Sequence, residues 1–183
     1  MKYTFREASP DDFNAIRRLN HRTFAEELGQ HAVQPGGLLE DRFEGRARYF
    51  LALLGDDVVG MICAMRDRPF SVESRLADLS VLDAWPEPRV EIRLLAIEPE
   101  HRNGLVMAGL IGRLMKDVSA AGVRTMLISG VSTRVSMYER MGFAALGPPV
   151  ESGRASYVPM AARIDRLPDA ARRGLDRAQR ASS

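Results

Sequence analysis

Residues 90–128 constrain the fold more than any other stretch of the chain. Residues 90–97 read as an apolar strand interrupted by Glu91 and Arg93, and Pro99-Glu100-His101-Arg102-Asn103-Gly104 as a turn. Residues 105–121 follow as an amphipathic helix, with Leu110, Leu114 and Val118 on one stripe and Gly122 closing it. Residues 123–128 are a second apolar strand. Strand, helix and strand in succession form a βαβ crossover, so at least part of the sheet is parallel.

The flanking sequence supplies the rest of an α/β (α+β) domain. Tyr3 and Phe5 alternate with Thr4 and Arg6 in a first strand. Ser9-Pro10-Asp11-Asp12 then starts a helix carrying Phe13, Ile16 and Leu19, and a second helical piece spans 24–31. Residues 49–54 and 58–64, joined by Gly55-Asp56-Asp57, form a hairpin. Residues 66–88 are mostly loop around a short helix at 72–79. A short helix at about 133–141, a strand from Gly142-Phe143 and a last strand at 155–161 complete the domain.

Composition excludes several function classes. The 183 residues suffice for one domain with a real core. No run approaches the eighteen or so apolar residues of a membrane span. The N-terminus turns charged at once, so no secretory leader is expected. A single cysteine, Cys63, and three scattered histidines give neither a disulfide nor metal-ligand spacing, so no metal is expected and the location is read as cytoplasmic. The net charge of +2 invites a nucleic-acid reading. Residues 163–183, however, hold six Arg against three Asp, leaving 20 basic and 21 acidic residues elsewhere. The division is therefore a catalytic body at 1–162 and an Arg-rich tail at 163–183. The body expects neither nucleic acid nor membrane as a partner. Salt-dependent nucleic-acid binding lost on deleting the tail would be the contrary result.

The turn at 99–104 presents a helix N-terminus with unpaired N–H groups and the positive end of its dipole, and Arg102 adds a charged fork. A phosphate suits such a place, although a strand-to-helix turn with glycine is commonplace.

Leu94-Leu95-Ala96-Ile97-Glu98-Pro99-Glu100-His101-Arg102-Asn103-Gly104 resembles the acyl-CoA signature of the GNAT superfamily of N-acyltransferases. Met137-Tyr138-Glu139-Arg140-Met141-Gly142-Phe143 resembles the same family's Tyr-x-x-x-Gly-Phe element, and the likeness extends over residues 3–161. It implies a mixed central sheet with a splayed central strand flanked by helices, and transfer of an acyl group, acetyl first, from acetyl-CoA or another acyl-CoA to a small-molecule amine. Leu95, Ala96 and Ile97 would pair with the pantetheine. Arg102, Asn103, Gly104, Leu105, Val106 and Met107 would form the pyrophosphate turn. The family keeps small residues where Leu105 and Met107 stand, which is a departure, because small residues let backbone approach the pyrophosphate. His101 fills the family's aromatic turn position.

Tyr138 matches the residue that protonates the departing thiolate, a role suited to a phenol with a reference pKa of about 10. Its other reading is a buried aromatic near a helix end. Glu91 matches a base that deprotonates the amine, or else is a solvated strand residue paired with Arg93. Ser129 and Ser132 line the cleft or cap the next helix. Leu19-Asn20-His21-Arg22-Thr23-Phe24-Ala25-Glu26-Glu27-Leu28-Gly29 and Glu40-Asp41-Arg42-Phe43-Glu44 are similar to the N-terminal part of acyl-homoserine lactone synthases and N-acyl amino acid synthases. That second resemblance implies an acyl carrier protein as partner and makes Arg22, Asp41 and Glu44 acceptor-site residues; surface ion pairs are the alternative. Met61, Met65, Met107 and Met126 then line an acyl pocket or simply pack the core. A catalytically silent binding or regulatory domain and a homodimer both stay open.

Overall fold

The computed structural model describes residues 2–181. The first residue of the expected 1–162 body and the last two of the 163–183 tail lie outside the described residues. The elements are β1 (Tyr3–Glu7), α1 (Phe13–Asn20), β2 (Arg48–Leu54), β3 (Asp57–Met65), β4 (Arg89–Ile97), α2 (Gly104–Ala120), β5 (Thr125–Val131), α3 (Val135–Arg140), β6 (Ala144–Ala145), β7 (Val150–Ser152), β8 (Ala155–Arg163) and α4 (Asp169–Ala181). Among the described residues, eight strands form one mixed sheet in the order β1-β2-β3-β4-β5-β8-β6, with β7 on β8. Only the β4–β5 pair is parallel, as the crossover requires.

Each face of the sheet carries its own core. On one face α2 places Val106, Leu110, Leu114 and Val118 against Phe50, Ile62, Val90 and Ile97, the stripe expected from its 3.6-residue period. On the other, Ile16 and Leu19 of α1 pack on Tyr49, Leu51, Met61 and Cys63. Both cores follow from strand alternation: Phe50 and Ala52 face α2, whereas Tyr49, Leu51 and Leu53 face α1. The second helical piece differs from the expected 24–31. It is a π-helical stretch, His21–Glu27, continuous with α1, and Leu28 N–H bonds the Thr23 carbonyl five residues back at 3.0 Å.

After β8 the chain folds back along the body, with α4 lying on α2, instead of trailing into solvent. After Leu167, which is buried, α4 runs alongside α2. The approach is close because α2 has no side chain at Gly112: a Cβ there would lie 2.0 Å from the Ala178 carbonyl oxygen. Gly112→Ala is therefore expected to push α4 outward and cost about 1–3 kcal/mol. Urea unfolding, with hydrogen exchange of the α4 amides, checks this; an unchanged midpoint would remove the contact from the account. Among the described residues no helix is long and apolar enough to cross a membrane.

Candidate active site

Two departures from a regular sheet open the site. Opposite β3, the register of β4 steps from Cys63↔Arg93 to Met61↔Ala96, so β4 carries one extra residue there. Leu94 sits at the bulge with φ +52, a conformation that costs energy for a non-glycine residue and is typical of functional sites. The bulge also flips the alternation: Ile92 and Ile97 both face α2 although they lie five positions apart in number. On its other side β4 pairs with β5 only through Arg89, Val90 and Glu91. Beyond them the parallel strands part, leaving a V between residues 92–95 and 128–131.

A cavity of about 520 Å³ begins in that V. Leu94 and Leu95 line one side of its mouth and Ser129, Gly130 and Val131 the other, and Phe24 of the π-helical segment and Leu28 just after it also line it. It continues beneath α2 and α4 between largely apolar walls. Its volume falls within the usual range for small-molecule sites, roughly 300–1,000 Å³.

Tyr138 lines the V. Its ring lies over Gly130, where a Cβ would come within 2.7 Å of the ring edge, and meets Phe143 edge-on at 6.4 Å between centroids. Gly130 is thus the close-approach point that lets a strand and an aromatic side chain share the cleft. Burial pushes the Tyr138 hydroxyl above its ordinary range, with the Val131 N–H and Arg134 acting the other way. The group stays protonated at neutral pH.

Glu91 lies elsewhere. Its side chain is fully buried, accepting hydrogen bonds from Ser71 N–H at 2.6 Å, Ser71 Oγ at 2.5 Å and Val72 N–H at 2.9 Å. Burial raises its pKa, opposed by Ser71, Arg93 and Val72. Ser71 joins it to a second buried group, since Arg93 Nε donates to Ser71 Oγ at 3.0 Å. The rest of the Arg93 guanidinium makes a fork to Asp41, at 2.7 and 2.9 Å, and stacks over Phe43 at 4.6 Å. Tyr49 donates to the same Asp41 at 2.7 Å. Desolvation pushes the Asp41 carboxyl up, yet Arg93, Tyr49 and the Phe43 N–H together hold it below the usual range.

Of the three acceptor-site candidates, only Asp41 joins this network. Glu44 is held by Arg17, at 3.0 and 2.5 Å, and Arg22 pairs with Glu98 beside a separate polar hollow. The donor-site candidates also divide. Leu95, Gly104 and Met107 reach the cavity, whereas Val106 and Ile97 are core and Ala96 packs toward α1. Leu105 points to solvent. The turn itself is internally satisfied. Asn103 Oδ1 caps α2 by accepting from Leu105 N–H at 3.1 Å and Val106 N–H at 3.0 Å. Arg102 bonds the Ile97 carbonyl at 2.9 Å and forks onto Glu27 of the π-helical segment, with one contact at 2.7 Å. Phe24 and Leu28, which fall in the stretch resembling the synthases, line the cavity; reasoning from sequence reaches Arg93 only as a partner for Glu91 and places the tail that forms α4 outside the catalytic body. The available signal for Arg93 was its spacing, two residues after Glu91 on one strand face.

The bulged central strand thus splits the mixed sheet, and Tyr138 lines the gap. The profile of the acetyltransferase (GNAT) family matches residues 13–143, and the chain belongs to that family and is an acyltransferase. Solved structures agree on the fold. BjaI, a CoA-dependent acyl-homoserine lactone synthase solved with SAM and isopentyl-CoA, superposes with TM-score 0.73 at 17% identity over 98% of this chain and 89% of its own. FeeM, an N-acyl amino acid synthase from uncultured soil microbes, gives 0.70 at 19% identity over 90% and 94%. A GNAT-family acetyltransferase from Staphylococcus aureus gives 0.60 at 10% over 89% and 99%. No curated protein matches the chain significantly.

Proposed function

We propose that the protein moves an acyl chain longer than acetyl from a thioester, on CoA or on acyl carrier protein, to the nitrogen of a small amine. The observation that carries this reading is the apolar cavity beneath α2 and α4. An acetyl group needs no such space, whereas burying a chain of methylenes there contributes roughly 0.8 kcal/mol for each. The capped α2 N-terminus and the Arg102–Glu27 fork support a donor gripped more by its chain than by its phosphates. The fold is shared with BjaI and FeeM and equally with an acetyltransferase, so the reading rests on the cavity. A thioester-handling enzyme of this kind would work in the cytoplasm.

In the reaction, the deprotonated amine attacks the thioester carbonyl carbon, forming the C–N bond. Backbone N–H groups freed where β4 leaves β5 stabilise the oxyanion. The C–S bond then breaks as Tyr138 gives its proton to the departing thiolate, and the proton the nitrogen sheds returns to the Tyr138 oxygen, so acid and enzyme are restored together. Glu91 is a positioning residue in this scheme: its carboxylate is fully engaged by the 71–72 backbone and Ser71, and it holds Arg93 in register.

The test is a donor panel from acetyl to long-chain acyl-CoA and acyl carrier protein thioesters. It is run with amino acids and S-adenosylmethionine as acceptors, alongside thermal-shift titrations, because a bound ligand stabilises by mass action. Expected are turnover and stabilisation that rise with chain length beyond acetyl. Acetyl-CoA as the best donor would sink the reading, and no response to any donor would leave a silent binding domain.

A further inference from the structure

Four α4 residues line the cavity: Ala171, Gly174, Leu175 and Ala178. Their spacing puts them on one helical stripe, while Arg172, Arg173, Asp176, Arg177 and Arg180 face solvent. Three of the four are the smallest residues available, and Leu175 alone has bulk. The cavity also reaches Met126, the residue of β5 that pairs with Val90 where the two strands are still hydrogen-bonded. Sheet is closed at that depth, so a chain entering through the V cannot leave between the strands. From Gly104 to Met115 the lining follows α2 for about 16 Å at 1.5 Å per residue. At that depth α4 lines the cavity through Ala171, Gly174, Leu175 and Ala178.

The wall is fixed in place. Gly112 brings the α4 backbone against α2 near Ala178, and at the other end Pro168 packs on Gly142 while Arg172 Nε bonds the Leu167 carbonyl at 3.0 Å. We infer that α4 is the end wall of the acyl channel, and that Gly174 and Leu175 set the longest chain the enzyme accepts. This rests on the acyl-chain reading above and adds the residues that measure the chain.

Two variants of opposite sign test it. A Cβ at Gly174 meets no atom within 4 Å, so Gly174→Leu adds a side chain without backbone conflict, at a helical position where Leu is preferred to Gly. Leu175→Ala removes side-chain volume. Each is measured with acyl-CoAs from two to sixteen carbons for kcat/KM, and with free fatty acids of the same lengths for thermal stabilisation, a readout that needs no transfer. Gly174→Leu is expected to lower the ratio of long-chain to short-chain kcat/KM at least tenfold and to shorten the longest stabilising fatty acid. Leu175→Ala is expected to lengthen that limit by about two to three carbons, the room its lost atoms leave. If the parent responds to chain length and neither variant moves the limit, α4 is not the wall and the acyl-transfer reading survives. If the parent neither binds nor transfers any chain, the channel itself is wrong and both readings fall.

Discussion

Arg93→Met is expected to destabilise the protein by about 3–5 kcal/mol, the usual cost of removing one partner from a buried ion pair. For a chain of this size that corresponds to a fall in Tm of roughly 6–20 °C. The guanidinium satisfies Asp41 through two hydrogen bonds and Ser71 through a third, and its face covers Phe43. Methionine reproduces part of the packing and none of the donors. Asp41, with a side chain only 6% exposed, then keeps the Tyr49 hydroxyl but loses its countercharge. Glu91 loses a neighbouring positive charge as well.

The pH dependence separates this from a simple cavity. In the parent, the Asp41 carboxyl sits below its unfolded value of about 3.9. Its contribution is thus fully present above that value and is lost as pH falls through the lower folded one. In Arg93→Met, burial without the countercharge raises the same carboxyl, so the variant regains stability as protons bind. The gap between the two proteins should be widest at pH 7 and narrow toward pH 4 in urea unfolding. Asp41→Leu combined with Arg93→Met should recover part of the loss, since an apolar pair leaves no stranded charge. A gap of under about 1 kcal/mol at pH 7 would show that the network is not stabilising in the way its geometry indicates.

What the sequence made legible and what it hid have separate physical causes. The β4–α2–β5 crossover was legible because strand and helix periods differ and Asn103, Gly104 and Gly122 punctuate them. The β5 end was read three residues short, at Ile128 instead of Val131, because Ser129 and Gly130 resemble loop; Gly130 is in the strand because Tyr138 needs its bare backbone. The π-helical stretch leaves no mark in a 3.6-residue pattern. Glu91 was read as facing a cleft or solvent because the groups that bury it, Ser71 and Val72, come from a loop twenty residues earlier. The tail read only as Arg-rich because Leu175 is its one large apolar residue after Pro168. Ala178 registers as only weakly apolar, yet its backbone is what packs against the bare face of α2 at Gly112. Local pattern carries the fold, and long-range satisfaction of polar groups carries the site.

Tyr138→Phe is expected to lower kcat by about 10²–10⁴-fold if the phenol is the acid for the departing thiolate. The substitution is nearly isosteric. The ring keeps its place over Gly130 and its edge contact with Phe143, and only the hydroxyl with its Val131 partner is lost. Stability should change by about 1 kcal/mol at most, and KM for the donor should change little, because the lost interaction acts in the transition state. A structural role for the ring predicts the reverse, with melting and activity falling together. Burial holds the hydroxyl protonated beyond its ordinary value of about 10, so the parent should keep its kcat through neutral pH and lose it only on the far alkaline side. The variant should lack that alkaline limb. An acyl thiophenol donor, whose leaving thiolate is stable without a proton, should be used by the variant almost as well as by the parent. Turnover of the ordinary thioester within threefold of the parent would remove Tyr138 from the mechanism and move the search for the acid to Tyr157, the other tyrosine lining the cavity, whose hydroxyl donates to Gln30 at 2.7 Å.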